Sequence, residues 1–259
     1  DNACGAIGAG ILAEGDTMCS IGTSGVVLRC EGGSAADYGG KVHLFNHARP
    51  GSCYAMGVTL AAGYSLSWFK DTFAPNESFE QLTRMAEDAP PGSGGLLFTP
   101  YLAGERTPHA DALIRGSFIG IDGSHEKKHF VRAVLEGITF SLQESVDIFR
   151  RSGRRVDSVV SIGGGAKSRL WLQMQADIFD AEVVALENEQ GPGMGAAMLA
   201  AFGSGWFDSL DACAAAFVSK AERYRPDPDA AARYRELFAV YREVYAQTRG
   251  ICAGLMAFR

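Results

Sequence analysis

Beyond residue 157 the chain alternates strand-like and helix-like patterns, and this alternation narrows the available folds more than any other feature. Residues 158–162 and 182–186 read as strands, 168–179 and 193–202 as helices. Alternation of this kind predicts parallel strands with crossover helices, since a parallel pair needs a connection of about a dozen residues or more.

The first half reads differently. Residues 17–22 and 25–30 are β-prone runs separated by Thr23-Ser24, and 42–48 and 52–58 flank Arg49-Pro50-Gly51, so each pair predicts an antiparallel hairpin. In the second turn proline presets φ and glycine accepts a positive φ. Helices are expected over 61–73 and 79–88, before Pro90-Pro91-Gly92-Ser93-Gly94-Gly95 interrupts the pattern and marks an inserted subregion; 96–101 and 117–121 read as further strands. Over 126–151, Val131, Leu135, Ile138, Leu142, Val146 and Phe149 fall on one helical face, with Ser124 as the expected N-cap and Gly153 as the stop. The remainder reads as helical, over 209–217 and 228–250, the latter carrying Tyr234, Leu237, Phe238, Tyr241, Val244 and Tyr245 on one face. Antiparallel strands followed by crossovers predict an α/β domain, one mixed sheet flanked by helices.

Glycine supplies 32 of the 259 residues and proline only 9, which points to tight turns rather than disorder. A formal net charge of −6 with no basic stripe argues against nucleic acid as a partner. The six cysteines are spread without a C-x-x-C pair, fitting reduced thiols in the cytoplasm rather than a zinc site or a disulfide framework. The uncharged stretch 50–69 contains Ser52, Thr59, Gly63, Ser65 and Ser67, too polar for a membrane-spanning helix. With no starting methionine or leader pattern, the chain reads as a piece of something longer.

Three glycine-bearing turns could present backbone N–H groups to an anion: Gly22-Thr23-Ser24-Gly25, Gly163-Gly164-Gly165-Ala166-Lys167-Ser168 and Gly191-Pro192-Gly193-Met194-Gly195. Together, in an acidic chain, they suggest a nucleotide. Neither common nucleotide fingerprint fits. Gly5-Ala6-Ile7-Gly8-Ala9-Gly10 has the wrong last spacing for a dinucleotide motif and suits a small-residue packing helix, while Gly164 to Ser168 lacks the spacing of a phosphate-binding loop before its lysine.

Asp1-Asn2-Ala3, an acid followed by an amide residue and a small-residue helix, resembles the catalytic segment of the FGGY family of carbohydrate kinases. Gly22-Thr23 sits where that family has its phosphate-binding turn. Segment 161–178, with Gly163, Gly164, Gly165, Trp171, Gln173, Gln175 and Asp177, is similar to the family signature. So are Tyr101-Leu102-Ala103-Gly104-Glu105-Arg106-Thr107-Pro108-His109, Arg115-Gly116, and Glu189 followed by Gly195-Ala196-Ala197, most closely as in members acting on D-xylulose.

The resemblance implies an actin-like, ribonuclease H-like ATPase domain, the second of two, with a first, sugar-binding domain outside this chain. It implies ATP and Mg2+ as cofactors and a sugar as substrate. Asp1 would be the general base, and Asp1 and Asn2 would contact the sugar. Gly22 and Thr23 would meet the phosphates; Gly63, Ser67, Gly164, Gly165, Ala166 and Ser168 would surround the rest of the nucleotide. Metal ligands stay unassigned, since part of that set is expected in the first domain. Arg106 and His109 are read as structural or at a subunit contact, a homodimer being allowed. The expected reaction is phosphorylation of D-xylulose to D-xylulose 5-phosphate, with ribulose, gluconate, fuculose or glycerol as alternative substrates. A nucleotide-sensing, actin-like module is the alternative outside catalysis. The isolated chain is expected to bind nucleotide but to turn over poorly.

Overall fold

The computed structural model describes residues 1–188 and 191–258. A short helix, α1 (Asn2–Gly8), precedes the hairpin β1 (Thr17–Ile21) and β2 (Gly25–Glu31). A second hairpin, β3 (His43–Asn46) and β4 (Cys53–Thr59), leads into α2 (Gly63–Phe73) and α3 (Phe79–Glu87). Next come β5 (Leu97–Thr99), β6 (Ser117–Ile119) and the long α4 (Lys127–Arg151). The crossovers follow as β7 (Ser158–Gly163), α5 (Arg169–Phe179), β8 (Glu182–Leu186) and α6 (Gly191–Gly203), and the chain continues through α7 (Leu210–Phe217), β9 (Lys220–Tyr224) and α8 (Pro228–Leu255).

Seven strands form one sheet in the order β3-β4-β2-β1-β7-β8-β9. β7 and β8 are parallel, as the alternation predicts, and β1 lies parallel to β7 as well; β1 pairs antiparallel with β2, and β2 with β4. The central five strands therefore have three antiparallel members beside two parallel additions, with β3 and β9 on the edges. Side chains alternate across the sheet. Met18, Leu28, Met56, Ile162 and Val184 pack under α1, while Cys19, Ile21, Val27, Ala55 and Val183 belong to the larger core that includes α2, α4, α5 and α8.

Helix α4 is the spine of that larger core, and it buries charge as well as apolar surface. Arg132 Nε donates to Glu136 Oε1 at 2.8 Å, Arg132 Nη2 donates to the Tyr234 hydroxyl of α8 at 2.9 Å, and that hydroxyl donates to Glu136 Oε1 at 2.7 Å. Glu136 also accepts from Gly92 N–H and Ser93 Oγ, which ties the 90–95 loop to the same point. Phe140 stacks against Phe238 and lies tilted against Tyr241 of α8, so the aromatic face expected of the last helix is a core face.

The small-residue helix α1 packs closely on α6, as expected for a packing helix. A side chain at Gly8 would stand 2.9 Å from the Gly191 carbonyl oxygen, and one at Gly195 would overlap the Cys4 backbone. No helix among the described residues is long and apolar enough to cross a membrane.

Three local expectations are corrected. Residues 220–224 form an edge strand instead of continuing the helical remainder; Lys220, Glu222 and Arg223 give it the charged, exposed character of protected sheet edges and no apolar alternation. β5 and β6 pair only with each other, as a ribbon beside α4, and do not join the main sheet. The N-cap of α4 is Glu126, in a reciprocal capping box with His129, while Ser124 instead bonds the Asp122 carboxylate.

Candidate functional site

β1 and β7 end side by side, Ile21 opposite Gly163, and the chain leaves both strands in glycine turns. A crevice at the carboxyl ends of adjacent parallel strands is where open α/β sheets bind ligands.

The first turn is held by its carbonyls. The Gly22 N–H donates to Ser24 O at 3.0 Å and closes the hairpin. The Gly22 carbonyl accepts the Gly63 N–H at 2.8 Å, and the Thr23 carbonyl accepts those of Ala62 and Tyr64 at 3.0 and 3.1 Å. The start of α2 therefore spends its free amide donors on this turn. In a trans peptide the N–H points opposite the preceding carbonyl, so the Thr23 and Ser24 amides point away from α2, available to an anion on the other side. Gly63 permits this seating, because a Cβ there would stand 2.5 Å from the Gly22 oxygen.

The second turn is held by packing. Gly163 takes a φ of +80°, and Gly165 lies buried against Ile21, whose side chain a Cβ would meet at 2.6 Å. The Gly165 carbonyl accepts from Gln175 Nε2, and Gln175 Oε1 accepts from Ser161 Oγ at 2.8 Å, so a buried amide of α5 fixes the turn to β7. Ser168 caps α5 by accepting the Trp171 N–H.

Between the turns and helices α2, α3 and α5 lies a cleft of about 660 Å³. Gly22, Thr23, Gly63, Ser67, Gly164 and Ser168 line it, so six of the eight expected nucleotide residues, from three separate segments, meet at one place. Gly165 and Ala166 are not on the lining. Gly165 supports the turn from beneath, and Ala166 packs half-buried against the core.

The walls supply what the sequence did not reveal. Tyr64, Leu66, Phe79 and Trp171 give the cleft an apolar side suited to a planar ring, while Glu80, Thr83 and Lys167 add polar lining. Trp171 is a core residue as expected, donating its indole N–H to Thr139 Oγ1 at 3.0 Å, and also shows a face to the cleft. Phe79, Glu80 and Thr83 share a face of α3, yet nothing local in the sequence says that α3 lies opposite the glycine turns.

Asp1 and Asn2 do not line this cleft. Asp1 is exposed at the N-cap position of α1 without a side-chain capping bond, which leaves its carboxylate uncommitted to the helix. The chain continues from α1 to Leu12, whose carbonyl accepts Cys30 Sγ at the far end of the β1–β2 hairpin. Glu189 lies outside the described residues. Among the described residues no three His, Cys, Asp or Glu side chains are placed to hold a metal ion.

A sequence profile described as the FGGY family of carbohydrate kinases, C-terminal domain, matches residues 17–204. A xylulose kinase of Bacillus subtilis (strain 168) is 62% identical over 259 residues, covering 100% of this chain and 52% of that protein. Two crystal structures from Lactobacillus acidophilus, a ligand-bound xylulose kinase and a gluconate kinase, superpose with a TM-score of 0.87 each. Their identities are 28% and 29%, each covering 95% of this chain and 50% of the other. The chain thus spans about half the length of the curated relatives it matches. The sheet order, the paired turns and these likenesses agree: the fold is the actin-like ATPase fold, and the chain belongs to the FGGY family of carbohydrate kinases, where it corresponds to the C-terminal domain.

Proposed function

We propose that this chain is the nucleotide-binding half of an ATP-dependent kinase that converts D-xylulose to D-xylulose 5-phosphate. The observation that carries the reading is the convergence of Gly22, Thr23, Gly63, Ser67, Gly164 and Ser168 on one cleft with an apolar wall and outward-pointing turn amides. The cleft is of a size that takes a nucleotide. ATP, when bound, supplies the γ-phosphoryl group. The Thr23 and Ser24 amides hold phosphate oxygens, while Tyr64, Leu66, Phe79 and Trp171 receive the base and Ser67 and Ser168 offer hydroxyls near the ribose. Asp1 accepts the proton of the sugar 5-hydroxyl as that oxygen bonds to phosphorus and the bond to the leaving phosphate breaks; Asn2 hydrogen-bonds the sugar. Gly165 and Ala166 belong to this site as the support of the second turn.

Xylulose is favoured over other sugars by the 62% identity with the Bacillus subtilis xylulose kinase. The fold of this half does not choose between sugars, since a xylulose kinase and a gluconate kinase superpose on it equally well. Sugar choice therefore belongs to an N-terminal domain preceding this chain, which closes over the cleft and shares in holding Mg2+. Action in the cytoplasm, as a homodimer, fits the acidic chain with its six free cysteines and the exposed apolar residues Ile251 and Leu255 of α8. The test is ADP formation from Mg-ATP by the full-length protein, with and without D-xylulose, beside an Asp1→Ala variant. Xylulose-dependent turnover that disappears in the variant is expected; ADP formation indifferent to every sugar would favour a nucleotide-sensing module instead.

A further inference from the structure

The loop over 101–109 carries a buried carboxylate that the reaction does not use directly. Glu105 is 2% exposed and accepts four hydrogen bonds. Oε2 takes the Thr59 hydroxyl at 2.6 Å and the Ser141 hydroxyl of α4 at 3.2 Å; Oε1 takes the Leu60 N–H at 3.1 Å and the Arg106 N–H at 2.7 Å. Thr107 reinforces the attachment, its N–H donating to the Val58 carbonyl and its hydroxyl accepting the Val58 N–H. The loop is thus fastened to the last residues of β4 and the first after it.

Those residues lead to the phosphate-binding turn by two routes. Thr59 is the register partner of Gly25, the residue that closes the 22–25 turn, and a Cβ at Gly25 would meet the Thr59 methyl at 2.7 Å. The Thr59 methyl therefore abuts the turn while its hydroxyl is held by Glu105. Leu60, the other anchor, lies two residues before Ala62, and Ala62, Gly63 and Tyr64 donate the N–H groups that fix the carbonyls of Gly22 and Thr23. A carboxylate suits this junction because it accepts only, and every group facing it here is a donor.

Resting on the reading of the cleft as a nucleotide site, we propose that Glu105 is a positioning residue for the phosphate-binding turn, acting through Thr59 and Leu60 to set where the Thr23 and Ser24 amides stand. Burial without a countercharge is what the role requires: a salt-bridged partner would compete with the hydroxyl and amide donors. Burial is also the largest cause raising the carboxyl to about 7, against the lowering by its hydrogen bonds from Thr59, Arg106 and Leu60, with Glu144 of α4 adding a smaller raise.

Steady-state kinetics on the full-length enzyme test this, with ATP and D-xylulose varied in turn and thermal unfolding recorded for each variant. Thr59→Val removes the hydroxyl, keeps the methyl against Gly25, and should raise the KM for ATP roughly tenfold while leaving the KM for xylulose unchanged. Thr59→Ser, which keeps the hydroxyl, should restore most of the difference. Glu105→Ala should raise the KM for ATP at least as much as Thr59→Val; should it fail to fold, the Thr59 pair carries the test. A folded Thr59→Val enzyme with an unaltered KM for ATP overturns the proposal, as does an equal rise in both substrates' KM, the signature of general loosening. A wild-type enzyme that binds no ADP in calorimetry overturns the nucleotide reading and this proposal with it.

Discussion

The two glycine turns at the ends of β1 and β7 look alike in sequence and are secured by different physics. The 22–24 turn hangs from polar contacts, with its carbonyls on the α2 amides and its flanking strand on the Glu105 carboxylate. In the 163–168 turn, Gly165 sits on apolar contact with Ile21 and on the buried amide of Gln175. The turn assigned to the phosphates thus has a directional hydrogen-bonded seat, in which a displacement breaks identifiable bonds. The turn assigned to the nucleoside has a packed seat, in which a displacement costs contact area spread over many atoms.

That contrast breaks most sharply at Gly63. Gly63→Ala drives a methyl against the Gly22 carbonyl, which is backbone and cannot rotate aside; ADP affinity of the full-length enzyme is expected to fall roughly a hundredfold by calorimetry. A variant binding ADP normally would show that the α2 seat does not govern the turn.

Acidity separates the two turns next. Glu105 has its carboxyl raised from 4.5 to about 7 in the fold, so the native state holds this proton more tightly than the unfolded chain. The resulting stabilisation is complete below pH 4.5 and is lost as pH rises through 7. Between pH 5 and pH 8 it amounts to roughly 2 kcal/mol. Urea denaturation should show wild-type stability declining over that interval, with the decline reduced in Glu105→Gln. Glu144, buried and also raised, supplies part of the remaining slope, opposed by His109 at 3.4 Å. An identical slope in wild type and Glu105→Gln would deny the carboxylate a proton uptake of its own. Among the described residues, the contacts of Gly165 with Gln175 and Ile21 involve no ionisable side chain, so replacements of those two residues should leave this slope unaltered.

Gly165→Ala should cost about 1–2 kcal/mol: the nearest obstructing atom, Ile21 Cδ1 at 2.6 Å, can rotate aside, while Ile21 Cβ at 2.9 Å is fixed to the backbone and must shift with it. Pairing it with Ile21→Val should recover part of the loss, and strict additivity in a double-mutant cycle would argue against the packed seat. The smallest effect is expected at the rim, where the exposed Arg169–Glu222 pair joins α5 to β9: Glu222→Gln should leave the urea denaturation midpoint nearly unchanged.

Sequence patterns carried the parts of this fold whose cause is local. The β7-α5-β8-α6 crossovers were legible because Val159, Val160 and Ile162 form a short apolar run ending in glycine, and because α5 opens on a capping serine. β9 was not, since an exposed edge strand such as 220–224 has no buried face to impose alternation. Ser124 looked like a cap, but its hydroxyl is occupied by Asp122, and Glu126 with His129 does the capping two residues later. In the cleft, the glycines were visible because bare backbone leaves a compositional mark. Tyr64, Phe79 and Thr83 were not, because they look like ordinary helix-surface residues until α2 and α3 are set against the turns. Glu105 was passed over for a related reason: four donors from three segments define it, and no local pattern announces them.

The contact of Tyr234 with Arg132 and Glu136 has a consequence for synthesis on the ribosome. The spine helix α4 emerges about a hundred residues before the hydroxyl that completes its buried ion pair. Until that hydroxyl arrives, the Arg132 guanidinium lacks one acceptor, and the aromatic bed around Phe140 stands open to water. The nascent domain can build all of its main sheet except β9 early, but its larger core closes only when α8, the last long helix of this chain, docks.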